Sequence, residues 1–279
     1  MPNFVYALPK KTESGWQAVL NLRFASSTQK TLLTHREHKG PLTVQRPFYP
    51  EGNVCHVYIL HPPGGVVGGD KLNISVKAEA NSHALLTTPA AGKYYRSEDL
   101  WANQSVEIEV ANDAVVEWLP QETIVYEGAH LKNSMNVTLA ENSSFIGWEL
   151  FTLGRPACDE RFDFGAVDLN WRIACNNKPL LIERLRLNSE AFAARWGLQG
   201  FAACGTLFAK SARRETLSAV QELIGDAPNR GVTLIDDILV CRGLDGRSDL
   251  LRAFFEQVYS LVRPQIANKK VCFPRIWLT

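Results

Sequence analysis

The sequence predicts a mainly β fold of many short strands, with two α-helices close to the C-terminal end. Three observations carry this. Short β-prone runs separated by turn-forming residues follow one another from Ala18 to Leu187. Helical periodicity appears only late, in two segments after Ala212. At 279 residues and 46% hydrophobic, the chain can bury a substantial core.

The runs come in order as AVLNLRF (Ala18 to Phe24), VCHVYIL (Val54 to Leu60), LNISVKAEA (Leu72 to Ala80), HALLTT (His83 to Thr88), SVEIEV (Ser105 to Val110) and AVVEWL (Ala114 to Leu119). MNVTLA, SFIGWELFTL, AVDLNWRIAC and PLLIERLRL continue the series. Pro-Glu-Gly-Asn, Ala-Asn-Asp, Glu-Asn-Ser and Cys-Asn-Asn-Lys punctuate it, residues that tolerate tight turns. The first helix is expected over Ala212 to Gly225, with Leu217, Val220, Leu223 and Ile224 on one face. GVTLIDDILVCRGL then reads as a hairpin through Asp236-Asp237. The second helix is expected to open at Ser248 as its cap and to be ended or kinked by Pro264. The organisation expected is one domain over 1–279, a β-rich body of about 15–210 with an α/β layer of about 211–279 packed on it. No stretch rich in Gly, Ser or Pro marks a flexible joint. The pattern permits either a β-helical stack or a sandwich.

A net charge of +1 gives no basic footprint for nucleic acid or an anionic membrane, so neither is expected as a partner. The N-terminus lacks an apolar core of signal-peptide length, and no run approaches ~18 apolar residues. A cytoplasmic location is expected. The six cysteines are scattered without a C-x-x-C, which speaks for buried free thiols rather than zinc or a redox dithiol.

HPPGGVVGGD (His61 to Asp70) places four glycines between strand-like runs, a backbone suited to close approach. It lacks the Lys-Ser/Thr of a P-loop and the G-x-G-x-x-G spacing. No G-x-S-x-G or H-E-x-x-H occurs elsewhere. His61 and Asp70 are the only basis for an enzymatic reading. His35 and His38 lie three apart among charged residues and Gly40, and read as an exposed loop.

Three carboxylates stand out by parity. Glu183 alternates with Leu181, Leu185 and Leu187, and so points with the leucines. Glu149 sits on a strand apolar on both faces. Such an acid must be protonated, paired or wetted, because an unpaired buried charge is very costly. For Glu183 an ion pair with Arg155 or Arg161 is the alternative to a water-filled cavity. Glu117 is a weaker case that the solvent face of an edge strand would accommodate. The terminal FPRIWLT, with Arg275 and Trp277, suits either an anchor in a partner's groove or a segment completing the protein's own sheet.

The blocks GPLTVQRPFYP (Gly40 to Pro50), TPAAGKYYRS (Thr88 to Ser97), EWLPQETIVYEGA (Glu117 to Ala129), GWELFTLGRP (Gly147 to Pro156), PLLIERL (Pro179 to Leu185) and PRIWLT (Pro274 to Thr279), together with the glycine loop, resemble the UreD (UreH) family of urease accessory proteins. They run in family order from about Gly15 to the last residue. The stretch between Asn188 and Ala267 matches least. The resemblance implies a right-handed β-helical arrangement with two helices near the C-terminal end. It also implies a non-enzymatic chaperone that binds apo-urease (UreA, UreB, UreC) and works with UreF and the GTPase UreG, nickel being brought by UreE. No tightly bound cofactor is implied, only Ni²⁺ in transit. Isolated oxygen ligands suit transit, because thiolate pairs and imidazole clusters hold late transition metals too tightly. Glu149 and Glu183, with Asp70 as the mouth, are therefore expected to form carboxylate steps for Ni²⁺. Arg275 and Trp277 are the expected partner contacts. The alternative is a purely structural adaptor between urease and its GTPase.

Overall fold

A computed structural model describes residues 15–278. The chain runs through β1 (Gln17–Ser26), β2 (Thr31–Lys39), β3 (Thr43–Val44), β4 (Cys55–Leu60), β5 (Lys71–Ala78), β6 (His83–Thr87) and β7 (Gly92–Tyr94). Next come β8 (Ala102–Val110), β9 (Val115–Trp118), β10 (Thr123–Val125), β11 (His130–Leu139), β12 (Ser144–Leu153), β13 (Ala166–Cys175) and β14 (Lys178–Leu187). The last section holds α1 (Ser189–Ala193), β15 (Ala203–Lys210), α2 (Arg214–Ile224), β16 (Arg230–Ile235), β17 (Ile238–Asp245) and α3 (Ser248–Ile266).

Long and short strands alternate between two sheets. The longer strands stack in parallel as β1-β5-β8-β11-β13, closed by antiparallel β2 at one edge and β14 at the other. The second sheet stacks in parallel as β4-β6-β9-β12, short strands except for the ten-residue β12. The result is a β-solenoid of about four turns with helices near the C-terminus. Its corners need left-handed backbone, supplied by Asn81 (φ 60°) between β5 and β6 and Asp113 (φ 58°) between β8 and β9. The β13–β14 hairpin turns through Asn176 and Asn177 at φ 47° and 63°, the two positive angles a two-residue turn of this hand requires.

Burial follows from which faces are covered. β5 alternates exposed and buried residues along its whole length, because the first sheet has a core face and a solvent face. In β12 nine of ten residues are buried, so its sheet is covered on both sides. Odd-numbered Phe145 and Phe151 pack between the sheets, while Ile146, Trp148 and Leu150 meet Leu251, Phe255 and Tyr259 of α3. The second sheet is thus the middle of three layers.

The C-terminal part is more closely merged with the body than a separate layer would be. β15 pairs antiparallel with β12, and β17 and β16 extend the same sheet. The Asp236-Asp237 hairpin forms as expected, with Asp236 at φ 51°. The cap expected at Ser248 needs correction, and of the two outcomes expected at Pro264 the helix end does not occur. Arg247 is the cap of α3 and Ser248 its first residue. Pro264 does not stop the helix, which continues to Ile266 with the Ala267 N–H donating to the Arg263 carbonyl at 2.9 Å. Among the described residues, no helix is long and apolar enough to cross a membrane.

Candidate functional site

Glu149 lies on the face of β12 turned toward the first sheet, and is 6% exposed. Its carboxylate accepts from Asn133 Nδ2 on both oxygens (2.8 and 2.9 Å) and from Trp171 Nε1 (2.8 Å). Among the described residues no lysine, arginine or histidine pairs with it. Burial pushes the Glu149 carboxyl up to about 7, outweighing the hydrogen bonds from Asn133 and Trp171 that favour the ion. Its charge is held by dipoles alone.

Glu183 lies opposite Trp171 in the β13–β14 ladder and points inward with Leu181 and Leu185. Its partner is neither Arg155, which pairs with Glu160, nor Arg161, which pairs with Asp163. It is Arg242 of β17, whose guanidinium bonds both Glu183 oxygens across the gap between the sheets. Sequence parity had placed the acid correctly, but the base comes from a strand nearly sixty residues away. Glu149 and Glu183 line one cavity of about 350 Å³, walled also by Trp171, Cys204, Arg230 and Arg242. Burial pushes the Cys204 thiol up to about 12, so it stays protonated at the cavity wall. Arg230 is neutralised separately by Asp245 at 2.6 Å.

A hydrogen-bonded line leaves this cavity through the interior. Gln104 Nε2 donates to Asn133 Oδ1 and Tyr94 O–H donates to Gln104 Oε1, both at 2.9 Å. The Tyr94 hydroxyl is raised above its ordinary range by burial and then by the charges of Glu149 and Asp70. Asp70 itself does not line the cavity. Its oxygens accept the backbone N–H groups of Trp16 (2.8 Å) and Val67 (3.0 Å), so it clamps the glycine loop. The glycines serve close approach to the protein's own backbone: a Cβ on Gly65 would stand 2.4 Å from the Tyr95 ring and one on Gly68 2.6 Å from the Leu100 carbonyl oxygen. His61 at the loop entry is lowered by burial, with the Asp70 charge opposing.

With this geometry in place, the comparisons with known proteins are specific. The family model described as UreD urease accessory protein matches residues 17–278. The chain belongs to the UreD family. "Urease accessory protein UreD" of Citrobacter koseri is 42% identical over 275 residues, covering 97% of this chain and 94% of the relative. That of Alcanivorax borkumensis is 42% identical over 274 residues (95% and 93%), and that of Pseudomonas putida KT2440 is 40% identical over 271 residues (97% of each). Membership supports a role in urease maturation. The match takes in the cavity, the glycine loop and both late helices.

On its other face the UreD-family chain buries a second polar cluster. Glu117 is not on the solvent face of an edge strand: β9 lies inside the sheet between β6 and β12, and Glu117 is 0% exposed. It accepts from His83 Nε2 (2.6 Å), Tyr259 O–H (2.5 Å) and Arg263 Nε and Nη2 (2.9 and 3.0 Å). Burial pushes the Glu117 carboxyl up, but the bonds and charges of His83 and Arg263 outweigh it and hold it at about 2. Arg263 also bonds both oxygens of Glu51 at 2.8 Å, and Glu51 meets His56 at 2.7 Å. The detectable signal was an arginine on the apolar stripe of α3, four residues after Tyr259. Glu51, His56 and Cys272 offer ligand atoms within 4.8 Å of one another. Arg263 already supplies the cation of that cluster, so it reads as a closed ion-pair network.

The tail folds back on this side. Trp277 Nε1 donates to Thr87 Oγ1 at 2.9 Å, and its ring lies 5.7 Å from that of Trp148 and under the Arg252 guanidinium at 4.7 Å. Arg275 is exposed. His35 and His38 are exposed as expected, but on strand β2 rather than a loop, where a spacing of three puts them on opposite faces. All six cysteines are free.

Proposed function

We propose that this chain is a cytoplasmic, non-catalytic urease maturation chaperone that passes Ni²⁺ along internal carboxylates while bridging apo-urease to UreF and UreG. GTP hydrolysis belongs to UreG in this reading, and UreE supplies the nickel. One observation carries it: Glu149 is a buried acid that no base among the described residues pairs with, and it shares a cavity with Glu183. A site that passes an ion must attract it without holding it, and oxygen ligands a few at a time meet that compromise. Asp70 enters the reading as the clamp of the glycine loop, its charge acting on the Tyr94 hydroxyl that opens the Tyr94–Gln104–Asn133 line. The exposed side chain of Arg275 is the tail group assigned here to a partner, while Trp277 anchors the tail.

The Glu183–Arg242 pair is the observation that favours the rival, a structural adaptor without metal contact. The test is Glu149→Gln and Glu183→Gln, singly and together, in cells expressing the urease operon, reading nickel content and activity of the matured enzyme. Loss of nickel with unchanged capture of apo-urease is expected. Full activation by the double variant overturns the passage and leaves the adaptor.

A further inference from the structure

Of the two arginines on the cavity wall, only one is neutralised by a carboxylate of the cavity itself. Arg230 is 10% exposed and tied to Asp245, which lies outside the cavity lining. Its charge is balanced whatever the cavity contains. Arg242 is balanced by Glu183, and the two come from different sheets, β17 and β14. Their bond spans the gap where the first sheet ends at β14 and stands on the more exposed part of the cavity wall, with side chains 47% and 23% exposed. Glu149 lies at the buried end.

We propose that Arg242 is the gate of this cavity: its guanidinium holds Glu183 in the resting chain, and a divalent cation reaches Glu149 only when Arg242 swings away. The proposal rests on the nickel-passage reading and adds to it the group that keeps the passage shut. The competition is electrostatic, since Ni²⁺ and the guanidinium seek the same carboxylate oxygens. The exit is built in. The Arg242 side chain is 47% exposed and can move into water at little cost, whereas Arg230 cannot. Once Arg242 has left, Glu183 and ionised Glu149 together balance the two charges of the metal. With Arg242 in place, a cation would enter against a like charge.

The experiment is Ni²⁺ binding to the full-length chain by equilibrium dialysis at pH 7.5, comparing wild type, Arg242→Gln, Arg242→Lys and the double variant Arg242→Gln/Glu183→Gln. Arg242→Gln is expected to lower Kd by about tenfold, the scale of one unit charge removed from beside a divalent ion under water-like screening. Arg242→Lys keeps the charge and should bind as wild type does. A general loosening of the fold would not be rescued in this way. The double variant should lose the gain. Unchanged affinity in Arg242→Gln, or a gain that survives Glu183→Gln, overturns the gate. The two readings fail separately: full urease activation by the Glu149→Gln/Glu183→Gln variant removes the passage. Nickel-deficient urease from that variant together with an unaltered Arg242→Gln affinity removes the gate alone.

Discussion

Replacing Glu149 with Gln should stabilise this protein in alkaline solution and leave it unchanged in acid. The carboxyl stands at about 7 in the folded chain against an ordinary 4.5. A folded-state pKa above the unfolded one means that the native state binds the proton more tightly. The associated stability is therefore fully present below about pH 4.5 and is lost as pH rises through about 7. The interval corresponds to roughly 3 kcal/mol at its upper limit. Glutamine imitates the protonated acid in shape and in having one donor and one acceptor end, so the variant escapes the loss. Urea unfolding of both proteins at pH 5 and pH 8 reads the effect. Taking the difference between variant and wild type cancels the titration of every other group that does not touch Glu149. At pH 5, just above the unfolded value, the variant should lead by only about 1 kcal/mol or less. At pH 8 the variant should be more stable by up to about 3 kcal/mol, or on the order of 6 °C in Tm for a chain of this size. Equal stability at both values would mean that the ion is already well solvated or paired, and a less stable variant at pH 8 that a cation holds it. Either result refutes a desolvated, baseless acid.

Arg263→Met should cost about 3–5 kcal/mol, because it strands Glu51 and Glu117 as buried charges without their shared base. It should also weaken, without abolishing, the acid sensitivity of the wild type between about pH 4.5 and 2, the window in which stability owed to the depressed Glu117 is lost as pH falls, because His83 still bonds the carboxylate; denaturant titrations across that range check both. Gly65→Ala forces a Cβ to 2.4 Å from the Tyr95 ring and 2.8 Å from the Lys93 carbonyl oxygen, and a thermal melt should show a loss of about 1–3 kcal/mol, whereas a neutral result would show the loop free to move aside.

Strand parity was legible in the sequence because it is a local property. The alternation around Glu183 and the apolar run around Glu149 gave both side chains their correct faces, and the Asp236-Asp237 turn gave its hairpin. Partners were not legible, because a solenoid brings distant residues together through stacking that leaves no local trace. Arg242 reaches Glu183 only because β15 and β17 extend the second sheet past β12. Glu117 was misplaced for a related reason: its four-residue strand looks like an edge, and only the parallel stack shows it enclosed by β6 and β12. Glycine-loop chemistry was legible as close approach, while the partner in that approach, Tyr95 and the Leu100 carbonyl, was not.

Glu117 and Glu149 make a controlled comparison within one sheet. They sit on neighbouring strands, β9 and β12, and both are almost fully withdrawn from water, yet their pKa values move in opposite directions, to about 2 and about 7. The difference is what covers each face. Glu117 faces α3, and a helix can send a long side chain such as Arg263 down onto the sheet without disturbing its own backbone bonds. Glu149 faces another sheet across a narrow interior, where residues facing it stand close and short Asn133 and the Trp171 indole fit in place of an extended guanidinium. Arg242 reaches that interior beside β14, where it meets Glu183. A buried acid met by a base is explained by folding alone, whereas one met only by neutral donors keeps an unbalanced charge in a cavity with room for a cation. On that ground Glu149 is the residue whose replacement bears on the proposed passage, while Glu117 is part of the framework that docks α3 and the tail.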